Sequence, residues 1–214
     1  MIDSTNIKPD ATKEQIIKLC KDAVKYGFGC IAVNPTYVPL AVKLVEGSEV
    51  KVCSTVGFPY GATLPEVKAY EARKVVELGA KELDMVMNIS AFKSGDYELV
   101  KRDIEAVVAV KKQNPNVIVK VIIETGLLKT EEEKVKACKL VKEAKADFVK
   151  TSVGTFGKAT VEDVRLMRRV VGENFGVKAA GGIRTYQDAI RMIVAGANRI
   201  GTSTAVAIIE GAPE

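Results

Sequence analysis

Short runs of β-branched and other apolar residues alternate along the chain with longer stretches whose apolar positions recur at helical spacing. The clear strand candidates are Cys30 to Asn34, Val50 to Gly57, Glu82 to Asn88, Val117 to Thr125, Asp147 to Ser152, Gly176 to Ala180 and Asn198 to Thr202. Helical spacing shows in Ile16, Ile17, Cys20 and Val24, in Val67, Tyr70, Ala72, Val75 and Val76, and in Ile104, Val107, Val108 and Val110. Pro65-Glu66, Ser94-Gly95-Asp96 and Thr160-Val161-Glu162-Asp163 read as helix starts, and Gly27, Gly79 and Gly196 as stops before the next strand. Seven strand–helix units result, with an eighth if Met1 to Thr5 is a short first strand followed by a helix from Thr12 to Tyr26. Near-continuous apolar strands alternating with helices require a parallel sheet covered by helices. Eight units of about 27 residues favour an α/β closed barrel, the (β/α)8 TIM barrel. Counting units does not prove closure, so an open doubly wound sheet stands as the alternative. With no linker, low-complexity tract or shift in composition, residues 1–214 read as a single barrel domain.

Composition narrows the chemistry more than the fold. The 214 residues include no histidine, which removes Ser-His and Cys-His catalytic pairs and His-ligated zinc. Proton transfer then falls to Lys, Asp, Glu, Tyr or Cys. The net charge of +5 is mild, and its Lys and Arg are interspersed with acids. Such a charge suits an anionic small molecule and gives no reason to expect nucleic acid. Cys20, Cys30, Cys53 and Cys138 show no CxxC spacing and read as reduced, buried small hydrophobes in a cytoplasmic protein. No apolar stretch approaches the ~20 residues of a membrane span, and Met1 leads into a polar segment without a signal-peptide pattern, so no membrane partner is expected.

In a barrel of this kind the strand interiors should be apolar, with chemistry at the C-terminal ends of the strands. Several strands here carry charge instead: Asp84 in the third, Lys120 and Glu124 in the fourth, Lys150 in the fifth and Lys178 in the sixth of those named. Alternation puts Lys120, Ile122 and Glu124 on one face, and Phe148, Lys150 and Ser152 on one face, both expected to point into the barrel. Buried lysines need partners, so the lysines and acids are expected to share one network. A structural ion-pair plug, or lysines reaching solvent, is the plain reading for any one of them. As a set, in a chain without histidine, they favour amine catalysis. Desolvation and a second ammonium nearby lower a lysine pKa from its usual value of about 10.4. Lys150 and Lys178 can thus divide the work, one as a neutral nucleophile and the other as a cation that shuttles protons with Asp84.

Gly-rich turns follow the last strands at Gly154 to Gly157, Gly181-Gly182-Ile183-Arg184 and Gly201-Thr202-Ser203-Thr204. Barrels often bind phosphate at the loops after strands 7 and 8, where Gly182 and Ser203 fall. Arg184 adds charge there or serves the following helix.

These segments together resemble deoxyribose-phosphate aldolase. The resemblance is carried by Ala146-Asp147-Phe148 with Lys150-Thr151-Ser152, by Val177-Lys178-Ala179-Ala180-Gly181-Gly182-Ile183-Arg184-Thr185, and by Lys120-Val121-Ile122-Ile123-Glu124-Thr125. Ile2-Asp3, Lys8-Pro9-Asp10-Ala11-Thr12, Gly57-Phe58-Pro59-Tyr60-Gly61 and Glu82-Leu83-Asp84-Met85-Val86 extend it nearly end to end. It implies a class I aldolase that reversibly cleaves 2-deoxy-D-ribose 5-phosphate to acetaldehyde and D-glyceraldehyde 3-phosphate, without a metal or other cofactor. The matching positions make Lys150 the Schiff-base lysine, Asp84 and Lys178 the proton relay, and Gly182, Gly201 and Ser203 phosphate contacts. Lys120, Glu124 and Asp3 fall in the supporting network. A homodimer or homotetramer is the assembly the family suggests. The chain departs from the pattern at Ser4 and Asn6, at Ala32 and Val33, and in a shorter, less Gly-rich loop after Lys150. The rival readings are a different lysine-dependent sugar-phosphate aldolase, separated by its donor, and a non-catalytic phosphate-binding barrel, which would form no imine.

Overall fold

The computed structural model describes residues 1–213. Eight parallel strands close into a barrel in sequence order: β1 (Ile2–Asn6), β2 (Cys30–Val33), β3 (Lys51–Val56), β4 (Glu82–Val86), β5 (Ile118–Ile122), β6 (Phe148–Lys150), β7 (Gly176–Ala180) and β8 (Arg199–Thr202). The open-sheet alternative is thereby set aside, and β1 closes the ring by pairing Ile2, Asp3 and Ser4 with Ile200, Gly201 and Thr202. The connecting helices are α1 (Lys13–Tyr26), α2 (Val38–Val45), α3 (Pro65–Glu77), α4 (Ile89–Lys93), α5 (Tyr97–Val108), α6 (Glu131–Glu143), α7 (Val161–Val171), α8 (Tyr186–Val194) and α9 (Ala205–Glu210). Their starts are set locally. Thr12, Thr130 and Thr185 accept from the third residue of α1, α6 and α8, and that residue's side chain answers in each case.

Two environments divide the strands. Ile31, Leu83, Met85, Val119, Val121, Val149, Val177 and Ile200 belong to the main apolar core, which includes Ile16, Val75, Ile104, Val141 and Met167 of the helices. Burial of each such side chain is worth about 1.5–3 kcal/mol, so the fold rests on this outer layer. The alternate positions point into the barrel, where Cys30, Ala32 and Cys53 form a separate small cluster beside charged groups. Gly176 belongs to this inner face, and its missing side chain matters. A Cβ there would lie 2.3 Å from the Phe148 ring, which crosses the space Gly176 leaves.

The structure corrects two expectations. Lys120 and Glu124 do not share one strand face, because β5 ends at Ile122 and Glu124 adopts φ +54°, a left-handed conformation that breaks the alternation. In α3 the apolar spacing misreads the helix phase. Val67 and Tyr70 are exposed, whereas Lys68 is fully buried together with Ala72 and Val75. The reason is Asp103 of α5, whose carboxylate meets Lys68 at 2.6 Å.

Candidate active site

Asp84 stands at the centre of the barrel with 1% of its surface exposed. Its Oδ2 accepts from Lys150 Nζ at 2.5 Å and from Lys178 Nζ at 2.8 Å, and its Oδ1 accepts from Lys120 Nζ at 2.9 Å. Strand register explains the convergence. Asp84 of β4 pairs with Lys120 of β5, and Lys150 of β6 pairs with Lys178 of β7, so the pleat points all four inward.

Beneath Asp84 the charges continue. Lys178 Nζ lies 2.6 Å from Asp3 Oδ2, and Arg199 Nε lies 2.9 Å from Asp3 Oδ1. These Asp3 contacts are charge contacts outside hydrogen-bond geometry. Arg199 also grips both oxygens of Glu82, and Glu82 lies 2.7 Å from Lys120. Asp84, Lys178, Asp3, Arg199, Glu82 and Lys120 thus form a closed ring of alternating charge, three acids against three bases, buried within the barrel. Lys150 hangs from Asp84 outside that ring.

The electrostatics follow from this arrangement. Burial opposes the ionisation of Asp84, yet Lys120, Lys150 and Lys178 outweigh it and hold the carboxyl well below the usual range. Burial would likewise depress Lys178, but Asp3 and Asp84 outweigh it and keep the ammonium above its ordinary value. The same balance, with Asp84, Cys53, Glu82 and Asp3 against burial, raises Lys120. Lys150 goes the other way. Burial lowers it, Asp84 only partly compensates, and the Lys178 cation lowers it further. Lys150 is also the one member of the set that lines the large cavity at the barrel mouth, of about 1160 Å³.

That cavity brings Lys150 together with Gly182, Gly201 and Ser203, and with Phe58, Tyr60 and Arg184. Gly181 and Gly182 turn through φ +100° and +77°, and a Cβ on Gly181 would sit 2.5 Å from Ser152 Oγ. Gly201 has a second neighbour besides the cavity, because a Cβ there would lie 3.1 Å from Lys178 Cε. Arg184 is exposed, and its backbone N–H is taken up by Asp188. Glu124, expected in the network with Lys120, instead accepts from the Val153 N–H at 2.8 Å and anchors the loop after Lys150. Burial raises its carboxyl, against the pull of Val153 and Lys150.

Sequence reasoning missed Arg199 and Glu82, which lie at the first positions of β8 and β4 and read there as ordinary strand ends. It also took Cys53 for a plain small hydrophobe. The Cys53 thiol donates to Asp84 Oδ1 at 3.2 Å and accepts from Lys120 at 3.4 Å. Asp3, Cys30 and Glu82 come within 4.8 Å of one another, close enough to share a cation. Their carboxylates already meet Lys178, Lys120 and Arg199, so the positive charge in that space comes from side chains.

A lysine at a cavity floor, poised on a carboxylate shared with a second lysine, is the equipment of an imine-forming enzyme. The family model for DeoC/LacD family aldolases matches residues 2–210. The chain belongs to this family of aldolases. It is 64% identical to the deoxyribose-phosphate aldolase of Thermococcus gammatolerans, over 99% of this chain and 94% of that protein. The deoxyribose-phosphate aldolase of Thermococcus kodakarensis is 62% identical over 100% of this chain and 96% of that protein. Among solved structures, the tetrameric deoxyribose phosphate aldolase of Aeropyrum pernix superposes with a TM-score of 0.91 at 38% identity, covering 98% of this chain and 88% of that one. As an aldolase the chain is a carbon–carbon lyase built on a TIM barrel.

Proposed function

We propose that this aldolase reversibly cleaves 2-deoxy-D-ribose 5-phosphate to acetaldehyde and D-glyceraldehyde 3-phosphate through a Schiff base on Lys150. The observation that carries the reading is the contrast among the buried amines: Lys120 and Lys178 are locked into a neutral ring, while Lys150 lines the cavity and is driven toward its neutral form. The likeness to deoxyribose-phosphate aldolases over nearly the whole chain supports the substrate.

Neutral Lys150 attacks C1 of the open-chain sugar phosphate. Asp84, held between Lys150 and Lys178, relays a proton so that the carbinolamine loses water and leaves an iminium. The iminium takes up the electron pair of the C2–C3 bond as that bond breaks, and the C3 hydroxyl proton passes to the relay. Glyceraldehyde 3-phosphate departs. The enamine is reprotonated at C2, and water releases acetaldehyde and the free amine. Lys178, kept cationic by Asp3 and Asp84, resupplies protons and holds Lys150 neutral. The phosphate sits at Gly182 and the Gly201–Ser203 segment, which line the same cavity as Lys150.

Borohydride reduction in the presence of acetaldehyde, followed by peptide mapping, tests the reading. An ethyl adduct on Lys150 is expected, and Lys150→Leu is expected to fold without turnover. An adduct on Lys178 or Lys120 instead would overturn the roles. The same proposal includes a homodimer or homotetramer, supported by the tetrameric A. pernix relative and checked by light scattering. A cytoplasmic location is supported by four free cysteines, and among the described residues no helix is long and apolar enough to cross a membrane.

A further inference from the structure

The catalytic face of the barrel is its upper end, yet two charged side chains sit at the opposite end and are tied to it by direct contacts. Arg199, with 17% of its side chain exposed, fills the floor, and Glu82 is 2% exposed beside it. Between them they complete the ring: Arg199 joins Asp3 to Glu82, and Glu82 joins Arg199 to Lys120. Each half of the ring then reaches Asp84, one through Lys178 and the other through Lys120. We propose that Arg199 and Glu82 are positioning residues that tune Lys150 electrostatically from the floor of the barrel through this ring.

The proposal rests on the reading of Lys150 as the imine-forming amine. The groups that face Lys150 are Asp84 from β4, Lys178 from β7, Cys53 from β3 and, beyond the end of β5, Glu124. Among these only Asp84 and Lys178 belong to the ring, and both are bound to it on their far sides. With all six members charged the ring is neutral, and Lys150 feels chiefly its two nearest members, the Asp84 carboxylate, which favours the ammonium, and the Lys178 cation, which opposes it. Removing one floor charge changes that. Without Arg199 the ring carries one net negative charge, which favours the Lys150 ammonium. Without the Glu82 charge it carries one net positive charge, which favours the neutral amine. A unit charge on the order of 10 Å away, at an effective dielectric of about 20, moves a pKa by about one unit. A purely structural floor plug predicts something different: lost stability, with no movement of the titration.

The experiment follows kcat/KM for 2-deoxy-D-ribose 5-phosphate against pH, which reports the free enzyme's groups. Alongside it, short incubations with acetaldehyde at each pH are quenched into borohydride at one fixed pH, and the Lys150 peptide is quantified. In Arg199→Met the acid limb is expected to move up by about one pH unit, a roughly tenfold loss on the limb. In Glu82→Gln it is expected to move down. The Arg199→Met/Glu82→Gln double variant is expected to return near the wild-type limb. Arg199→Lys, which keeps the charge and loses the fork, is expected to leave the limb in place whatever its effect on stability. Limbs that stay fixed in both single variants, or move in the same direction, overturn the proposal while the Lys150 adduct persists. Absence of that adduct in the wild-type enzyme overturns the imine reading itself. Should Arg199→Met fail to fold, Glu82→Gln and Arg199→Lys carry the decision: a limb that stays fixed or moves up in Glu82→Gln, or that moves in Arg199→Lys, overturns the proposal.

Discussion

The buried pair Lys68–Asp103 offers a test of the physics that holds the scaffold, away from the reacting atoms. Lys68 of α3 and Asp103 of α5 are both wholly buried and meet at 2.6 Å. Lys68 Nζ also donates to the Val86 carbonyl at 2.8 Å, and Asp103 Oδ2 accepts from the Asn88 N–H at 3.1 Å. The pair therefore fastens two helices to the end of β4. Burial depresses Lys68 more than Asp103 restores it, and burial raises Asp103 more than Lys68 restores it, so desolvation outweighs attraction on both sides. Either partner alone is then costly. Lys68→Met leaves a buried carboxylate facing one N–H, and Asp103→Asn leaves a buried ammonium with only the weaker influence of Glu71 for a counter-charge. Each is expected to cost about 3–5 kcal/mol. In a chain of this size that is a fall in Tm of about 2–4 °C per kcal/mol. The Lys68→Met/Asp103→Asn double variant removes both charges and keeps a carbonyl for the Asn88 N–H. Its cost is expected to be smaller than either single change, about 1–2 kcal/mol for the orphaned Val86 carbonyl. Urea titration followed by far-UV circular dichroism measures all four proteins. If the double variant loses the sum of the two single losses, the pair has no coupling and the reasoning fails.

Three further expectations are simpler. Gly201→Ala puts a Cβ 3.0 Å from Ala180 Cβ and 3.1 Å from Lys178 Cε, so kcat should fall about tenfold with a stability loss of about 1–3 kcal/mol; an unchanged kcat would show that Lys178 tolerates displacement. Asp3, Glu82 and Asp84 are all held below their ordinary carboxyl values, so their stabilisation is present above the unfolded pKa near 4 and is lost as pH falls through the folded values. Melting temperatures should accordingly stay level from about pH 8 to 5 with respect to these groups and drop below about pH 4; a fall beginning near neutrality would contradict this. Burial pushes the Cys20 thiol up to about 11 and that of Cys138 up to about 12, so neither should react with iodoacetamide in the native protein at pH 8, and both should react in urea. Native labelling of Cys138, seen by peptide mass, would count against its burial.

Much of the fold was legible because barrel strands are buried on both faces and read as apolar runs. Seven runs were plain, and the eighth, Ile2–Asn6, was readable only as an option because Asp3, Ser4, Thr5 and Asn6 are polar. That polarity is the signature of the site, since Asp3 turns inward to Lys178. Lys120, Lys150, Lys178 and Asp84 were legible for the same reason: charge inside an apolar run has few places to go. Alternation failed at Glu124, where a left-handed residue ends the strand and local sequence does not announce it. Lys68 escaped notice because a lysine on an amphipathic helix reads as solvated, and only Asp103, 35 residues further on, makes its burial tolerable. Arg199 and Glu82 escaped because a charge at the start of a strand normally faces water. Closure of the barrel, a property of the whole chain, brings them together.

Asp3 lies near the start of the polypeptide and Lys178 in β7, and the strand that joins β7 to β1, β8, is among the last elements to be synthesised. A growing chain already carries Lys150 long before the ring around Asp84 can exist. Until β1 meets β8 the ring cannot close, and lysines of an open chain are solvated ammonium groups and poor nucleophiles near neutral pH. If Lys150 acts as proposed, its reactivity comes into being only when the barrel closes, and an unfinished or broken barrel is expected to be chemically silent as well as unfolded.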